Sequence, residues 1–205
     1  MSYDLLPDDN IIEQATKALT ERNIEAVVVA TKEEALAKVI ELIPQGASVN
    51  NGSSRTLEEI GLVDYLKSDT HGWNNLHASV VAESDPAKKQ ELRNASLFAE
   101  YYLGSVHALA QTGELIIASA SGSQLPPIVF TSKNIIFVVG AQKITPTHAD
   151  AMQRIREYVV PLEDVRMKEV GMGGTVLSKV LTIECEPAFM GRKVMVIIVK
   201  EKLGF

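Results

Sequence analysis

Three short runs of uninterrupted apolar residues constrain this chain more than anything else in it. They are Ala26-Val27-Val28-Val29-Ala30, Ile135-Ile136-Phe137-Val138-Val139 and Val194-Met195-Val196-Ile197-Ile198-Val199. Each has the length of a strand and falls far short of the ~20 residues that a membrane-spanning helix needs. A strand that is apolar on both sides must be covered on both sides, as in a sheet flanked by helices.

The segments around these runs supply the helices. Asp8, Asp9 or Asn10 can cap a first helix, in which Ile11, Ile12, Ala15, Ala18 and Leu19 recur at helical spacing until Arg22-Asn23. A strand over Ile24–Ala30 follows. Thr31 with Glu34 three residues on forms a capping box, and Ala35, Leu36, Val39, Ile40 and Ile43 give that helix its inner face. Pro44-Gln45-Gly46 turns into a short buried strand from Ala47, a turn of small polar residues follows, and Ser53 or Ser54 caps the next helix. The first 61 residues thus alternate helix and strand, which implies parallel strands with helices on the sheet faces.

Further along, Leu62–Leu66 continues the helix, and Ser68–Leu76 is a polar excursion, either a lid or a loop anchored by Trp73. A long helix is expected from Asp85-Pro86 through Tyr101-Tyr102, its aromatic stripe facing the core. Val106–Ala110 and Glu114–Ala118 read as a hairpin around Gln111-Thr112-Gly113. Thr147 caps a helix whose Arg154 and Arg156 face solvent or a partner, and Pro161 breaks that pattern. Gly171–Gly174 is a loop or hinge, and Thr175–Glu184 alternates enough for a strand.

Ligands in parallel sheets bind beyond the carboxyl ends of the strands. Three loops of small polar residues follow strands here: Asn50–Thr56, Ala118–Ser123 and Gly140–Lys143. The first joins a glycine, capping serines, free N–H groups of a helix start and Arg55, a combination that suits an anion. Lys143, just past the most hydrophobic strand, is placed to meet one. The ligand-contact candidates are Asn51, Gly52, Ser53, Ser54, Thr56, Gly122, Ser123 and Gly140. Each loop taken alone is equally an ordinary connection.

The net charge of −6 argues against a general nucleic-acid binder. Cys185 is the single cysteine, so neither an internal disulfide nor a site of several thiolates can form. His71 and His77 have no third ligand nearby, and no metal site is expected. The acidic start, Met1–Asp9, has no apolar signal core, and the chain is expected in the cytoplasm. At 205 residues it suits one domain spanning 1–205.

The segments Gly52–Gly61, Ala110–Leu115, Val138–Ile144 and the ending Ile198–Phe205, in this order, resemble the LUD domain, a family associated with bacterial lactate utilisation. The resemblance spans roughly residues 10 to 205. It implies an α/β fold, a Rossmann-like, mainly parallel sheet flanked by helices with an added β-rich portion. That is the fold of the phosphosugar isomerases, such as ribose-5-phosphate isomerase, and of the CoA transferases. Carried onto this chain, Gly52, Ser53, Ser54 and Thr56 would hold an anion. Thr112, Gly113 and Glu114 would line the pocket, with Lys143 as counter-charge. Short members often carry several cysteines before the last strand; here Gly173–Arg192 holds only Cys185. Lactate oxidation in the family needs partner proteins with redox centres. No G-x-G-x-x-G fingerprint follows a strand in this chain, and no cofactor is expected.

Three functions follow. The first is an accessory component of lactate, or related 2-hydroxy-acid, oxidation that binds an anionic small molecule. The second is an enzyme of the phosphosugar-isomerase or acyl-transfer type, with Glu114 as base or nucleophile and Lys143 steadying negative charge. The third is a structural partner that forms a homodimer.

Overall fold

The computed structural model describes residues 3–68 and 70–205. Met1 and Ser2 of the acidic start, and Asp69 of the polar excursion, lie outside the described residues. The chain opens with α1 (Asp9–Glu21), β1 (Glu25–Val29), α2 (Lys32–Leu42), β2 (Ser48–Asn51), α3 (Arg55–Glu59) and α4 (Leu62–Lys67). The caps are those the sequence offers. Thr31 Oγ1 accepts the Glu34 N–H at 3.2 Å, and the Glu34 carboxylate accepts the Ala30 N–H at 2.7 Å. Ser54 Oγ accepts the Leu57 N–H at 3.4 Å.

Next come β3 (Asn74–Asn75), α5 (Leu76–Ala82) and α6 (Pro86–Ser96). Trp73 anchors the excursion: it is buried, donates from Nε1 to Ile43 O at 3.2 Å, and meets Tyr65 edge-on at 5.5 Å. The helix expected to reach Tyr102 stops at Ser96. Residues Tyr101–Gly104 form a strand, β4, between two neighbours of the sheet. The slot demands it, because Tyr102 fills the core on one face and Leu103 the core on the other.

β5 (Ala108–Ala110) and β6 (Leu115–Ser119) form the expected antiparallel hairpin. After a π-helical turn, Pro127–Thr131, come β7 (Asn134–Gly140), β8 (Ile144–Thr145) and α7 (His148–Arg154). Pro161 does not end this helix. A wide turn, Ile155–Val159, carries α7 directly into α8 (Val160–Glu169). Widening absorbs the proline, which lacks an N–H and would clash with the carbonyl four residues back. Arg154, expected at the surface, is fully buried, whereas Arg156 is exposed. β9 (Lys179–Ile183) and β10 (Lys193–Val199) complete the strands.

The architecture is α/β and Rossmann-like. A six-stranded sheet, parallel at every pairing, runs β1-β10-β7-β4-β2-β3. A smaller mixed sheet runs β8-β5-β6-β9. On one face of the large sheet, Ile136, Val138, Ile197 and Val199 pack with residues of α2, α3 and α4. On the other, Ile135, Phe137, Val139 and Val196 pack with α1 and with Leu109, Leu115 and Ile117 of the small sheet. The outer side of the small sheet is covered by α7 through Ala151. The alternation along β7 and β10 sends successive apolar side chains into two different cores. No helix among the described residues is long and apolar enough to cross a membrane.

Candidate functional site

β2 and β4 are neighbours, yet their chains leave in opposite directions. β2 leads to α3 on the helical face, and β4 leads to the small sheet on the other. A crevice opens where two adjacent parallel strands part in this way. There a cleft of about 60 Å³ is lined by Gly52–Thr56 from one side and Gly104–His107 from the other. Gln124, Glu163, Arg166 and Phe205 complete its walls, and Lys143 lies among them.

Gly52 belongs at this position for a steric reason. A Cβ there would lie 2.6 Å from the hydroxyl of buried Tyr102. Ser54 is spent on capping α3, and Thr56 is buried at the second helical position. With only five residues, α3 brings little dipole, so the charge of the cleft comes from side chains.

Lys143 ends a tight turn, Ala141–Lys143, after β7 and is 2% exposed. Its Nζ reaches Thr56 Oγ1 at 2.9 Å, Ser105 Oγ at 3.1 Å and Val106 O at 3.2 Å. Burial, and after it the Arg154 charge, push its amine down to about 7, against a smaller opposing pull from Glu59. The other two cations of the cleft have partners. Arg55 pairs with Glu58 at 3.0 Å, and Arg166 grips Glu163 with two bonds of 2.7 Å while its Nη2 lies 3.5 Å from Ser53 Oγ. Lys143 makes no ion pair among the described residues.

His107 adds a neutral ring. Its Nδ1 accepts the Ala118 N–H at 3.1 Å, which puts the ring proton on Nε2. Burial first, then Lys143 and Arg154, push its pKa down to about 3. Arg154 itself donates to His107 O at 2.5 Å and lies 5.2 Å from the Tyr158 ring centre. It thus holds one wall from behind.

The residues singled out in the sequence fall into two groups. Gly52, Ser53, Ser54, Thr56 and Lys143 converge on the cleft. Asn51 lies just before it, at the end of β2. Gly140 sits where a Cβ would strike the Gln142 side chain and the Leu203 backbone at 2.3 and 2.7 Å, so it serves chain packing. Gly122 and Ser123 close a turn on themselves: the Gly122 N–H bonds Ser119 Oγ, and the Ser123 N–H bonds Ser121 Oγ. Their neighbour Gln124 is the one that reaches the cleft.

Thr112, Gly113 and Glu114 do not line it. The antiparallel hairpin carries them toward the end of α1, where β1 begins, at the amino edge of the large sheet. There Arg22 donates to Thr112 O and to the Glu114 carboxylate, both at 2.8 Å, and to Glu184 O at 2.6 Å. Desolvation pushes the Glu114 carboxyl up, but Thr112, its own backbone N–H and Arg22 outweigh this and leave it below its ordinary range.

Four contributors carried no signal that stood out: Ser105, His107, Gln124 and Arg166. The first two follow β4, a strand hidden inside an expected helix. Arg166 lies beyond Pro161, and recognition that this proline continues a helix would have pointed toward it. A model of the LUD domain matches residues 12–199 of the chain. The crystal structure of a DUF162 family protein from Deinococcus radiodurans is similar, with a TM-score of 0.57 at 14% identity. The match covers 95% of this chain and 99% of that one, and at such identity it speaks for the fold alone. None of the curated proteins matches the chain.

Proposed function

The chain belongs to the LUD domain family, and from that premise we propose that it is an accessory component of lactate-type 2-hydroxy-acid oxidation that holds a small anion in this cleft. One observation carries the reading. Lys143 is a buried cation in a cleft whose other cations are already paired, and among the described residues no carboxylate lies within ion-pair distance of it. An unpaired charge away from water is costly, and an anionic ligand removes that cost. The hydroxyls of Ser53, Thr56 and Ser105 and the Arg166 guanidinium complete the polar surround. The space between these walls suits a ligand of a few heavy atoms.

In this reading residues 1–205 act as one domain in the cytoplasm, as a homodimer, and redox partner proteins supply the electron acceptor. Glu114 has no chemical role here, since Arg22 and Thr112 hold it at the opposite edge. The test is thermal unfolding with lactate, pyruvate and phosphate at near-neutral pH. Stabilisation by one of them is expected, kept in Glu114→Gln and lost in Lys143→Met. If none of the three stabilises the wild-type protein, the anion site is refuted.

A further inference from the structure

We propose that Lys143 is a covalent site, whose Nζ condenses with the carbonyl carbon of a small 2-oxo acid held in the cleft to form an imine. This rests on the reading that the cleft receives a small carboxylate, and it gives that ligand a class.

The first support is the hydrogen-bond bookkeeping around Nζ. As an ammonium, Lys143 can donate to all three of its neighbours, Thr56 Oγ1, Ser105 Oγ and Val106 O. As a neutral amine it has two protons and a lone pair, and the site satisfies that form as well. Thr56 Oγ1 uses its own proton on Leu203 O at 3.3 Å, so it must accept from the amine. Val106 O can only accept. The Ser105 hydroxyl can turn and donate to the lone pair. A lysine held by carboxylates would lose its partners' balance on deprotonation; this one does not. Burial and the neighbouring Arg154 charge favour the neutral form further, while Glu59 opposes it, and His107, neutral, adds no charge.

The second support is what the product needs. The amine lone pair adds to the carbonyl carbon, the C=O π bond opens onto oxygen, and one of the two nitrogen protons passes to that oxygen, giving a carbinolamine. The nitrogen gives up a proton, the hydroxyl takes one and leaves as water, and the C=N bond remains. Amine plus carbonyl gives imine plus water, with no oxidant or reductant. Ser105 Oγ, 3.1 Å from Nζ, is placed to pass the proton. Once the imine nitrogen takes up a proton from solvent, the positive charge sits at the same buried point, with no carboxylate among the described residues within ion-pair distance of Lys143 and only the weaker pull of Glu59. A 2-oxo acid carries its own carboxylate on the adjacent carbon, whereas a simple ketone or aldehyde does not. The cleft's small size restricts the acid to a few heavy atoms.

The experiment is reductive trapping. The intact protein is treated with borohydride in the presence of pyruvate or glyoxylate, with acetone as the neutral carbonyl and lactate as the anion without a carbonyl. A single adduct is expected, with a mass gain equal to the oxo acid less one oxygen atom. It should map to Lys143 at a rate on the order of tenfold or more above any other lysine. It should be suppressed by excess lactate, be weak with acetone, and be absent in Lys143→Arg. Mapping the wild-type adduct does not depend on how that variant folds. Adducts spread evenly over surface lysines would overturn the imine. So would stabilisation by pyruvate without trapping at Lys143, an outcome that leaves the anion site standing. Neither stabilisation nor trapping would remove both.

Discussion

The two edges of the large sheet treat charge in opposite ways. At the amino edge, Arg22 is fully employed: the Glu114 carboxylate, the Thr112 and Glu184 carbonyls and the Glu184 carboxylate all lie within bonding reach. At the carboxyl edge, Lys143 is more deeply buried and bonds hydroxyls and one carbonyl, but makes no ion pair among the described residues. A buried charge with its partners built in is a fold element. One without an ion-pair partner is where, in the proposed reading, an anion from outside would bind. Spare electrostatic demand, more than the presence of polar residues, separates the site from a well-tied corner.

Changes at each edge can break that contrast. Lys143→Met should have the largest effect, abolishing every anion-induced shift in thermal unfolding. It should also raise the stability of the unliganded protein at neutral pH. The folded amine titrates near 7 and the unfolded one near its ordinary value, so between the two the unfolded state binds more protons and stability rises with pH. Removing the amine removes that deficit, and Thr56 and Ser105 still have Leu203 O and Val106 O to bond. A less stable variant that still responds to anions would erase the distinction.

Arg22→Met should do the reverse. It leaves a largely buried Glu114 without its cation and should cost about 2–4 kcal/mol in denaturant unfolding, with the lactate response intact. Between these stands a pH effect on binding. Lactate is already ionised at neutral pH, so only the site titrates. Its calorimetric affinity should fall by up to about tenfold per pH unit above 7, as Lys143 loses its proton. A pH-independent affinity would take the charge away from Lys143. The smallest change is expected from Glu114→Gln, about 1 kcal/mol of stability and no change in lactate binding. A lost response there would return Glu114 to the site.

Much of this was legible in the residues. The apolar runs announce β1, β7 and β10, and the capping serines and threonines place α2, α3 and α7. β4 was not legible, because Tyr101-Tyr102 continues a helical stripe and only the vacancy between β2 and β7 makes it a strand. Lys143, Ser53, Ser54 and Thr56 could be selected by their place after strand ends. Glu114 could not be rejected in the same way. A glycine turn with a carboxylate reads identically at either edge of a sheet, and the hairpin's direction decides which. Arg166 and His107 were invisible because nothing local marks them; they reach the cleft through a helix that survives its proline and through a loop after the hidden strand.

The position of β10 has a consequence for how the molecule comes to exist. It is the last strand in chain order, yet it lies in the interior of the sheet, between β1 and β7. Without it, the edges of β1 and β7 that it pairs would be left open. The segment after it is also needed by the cleft. Gln142 clasps the Leu203 backbone from both sides, Thr56 bonds Leu203 O, and Gly204, in a left-handed conformation, passes so close that a Cβ would lie 2.5 Å from Thr56 Oγ1. Folding therefore has to join segments far apart in sequence and close long loops, which slows it and leaves apolar strands open to aggregation meanwhile. The cleft thus depends on β10 and the segment after it, and a chain without them lacks one wall of the cleft.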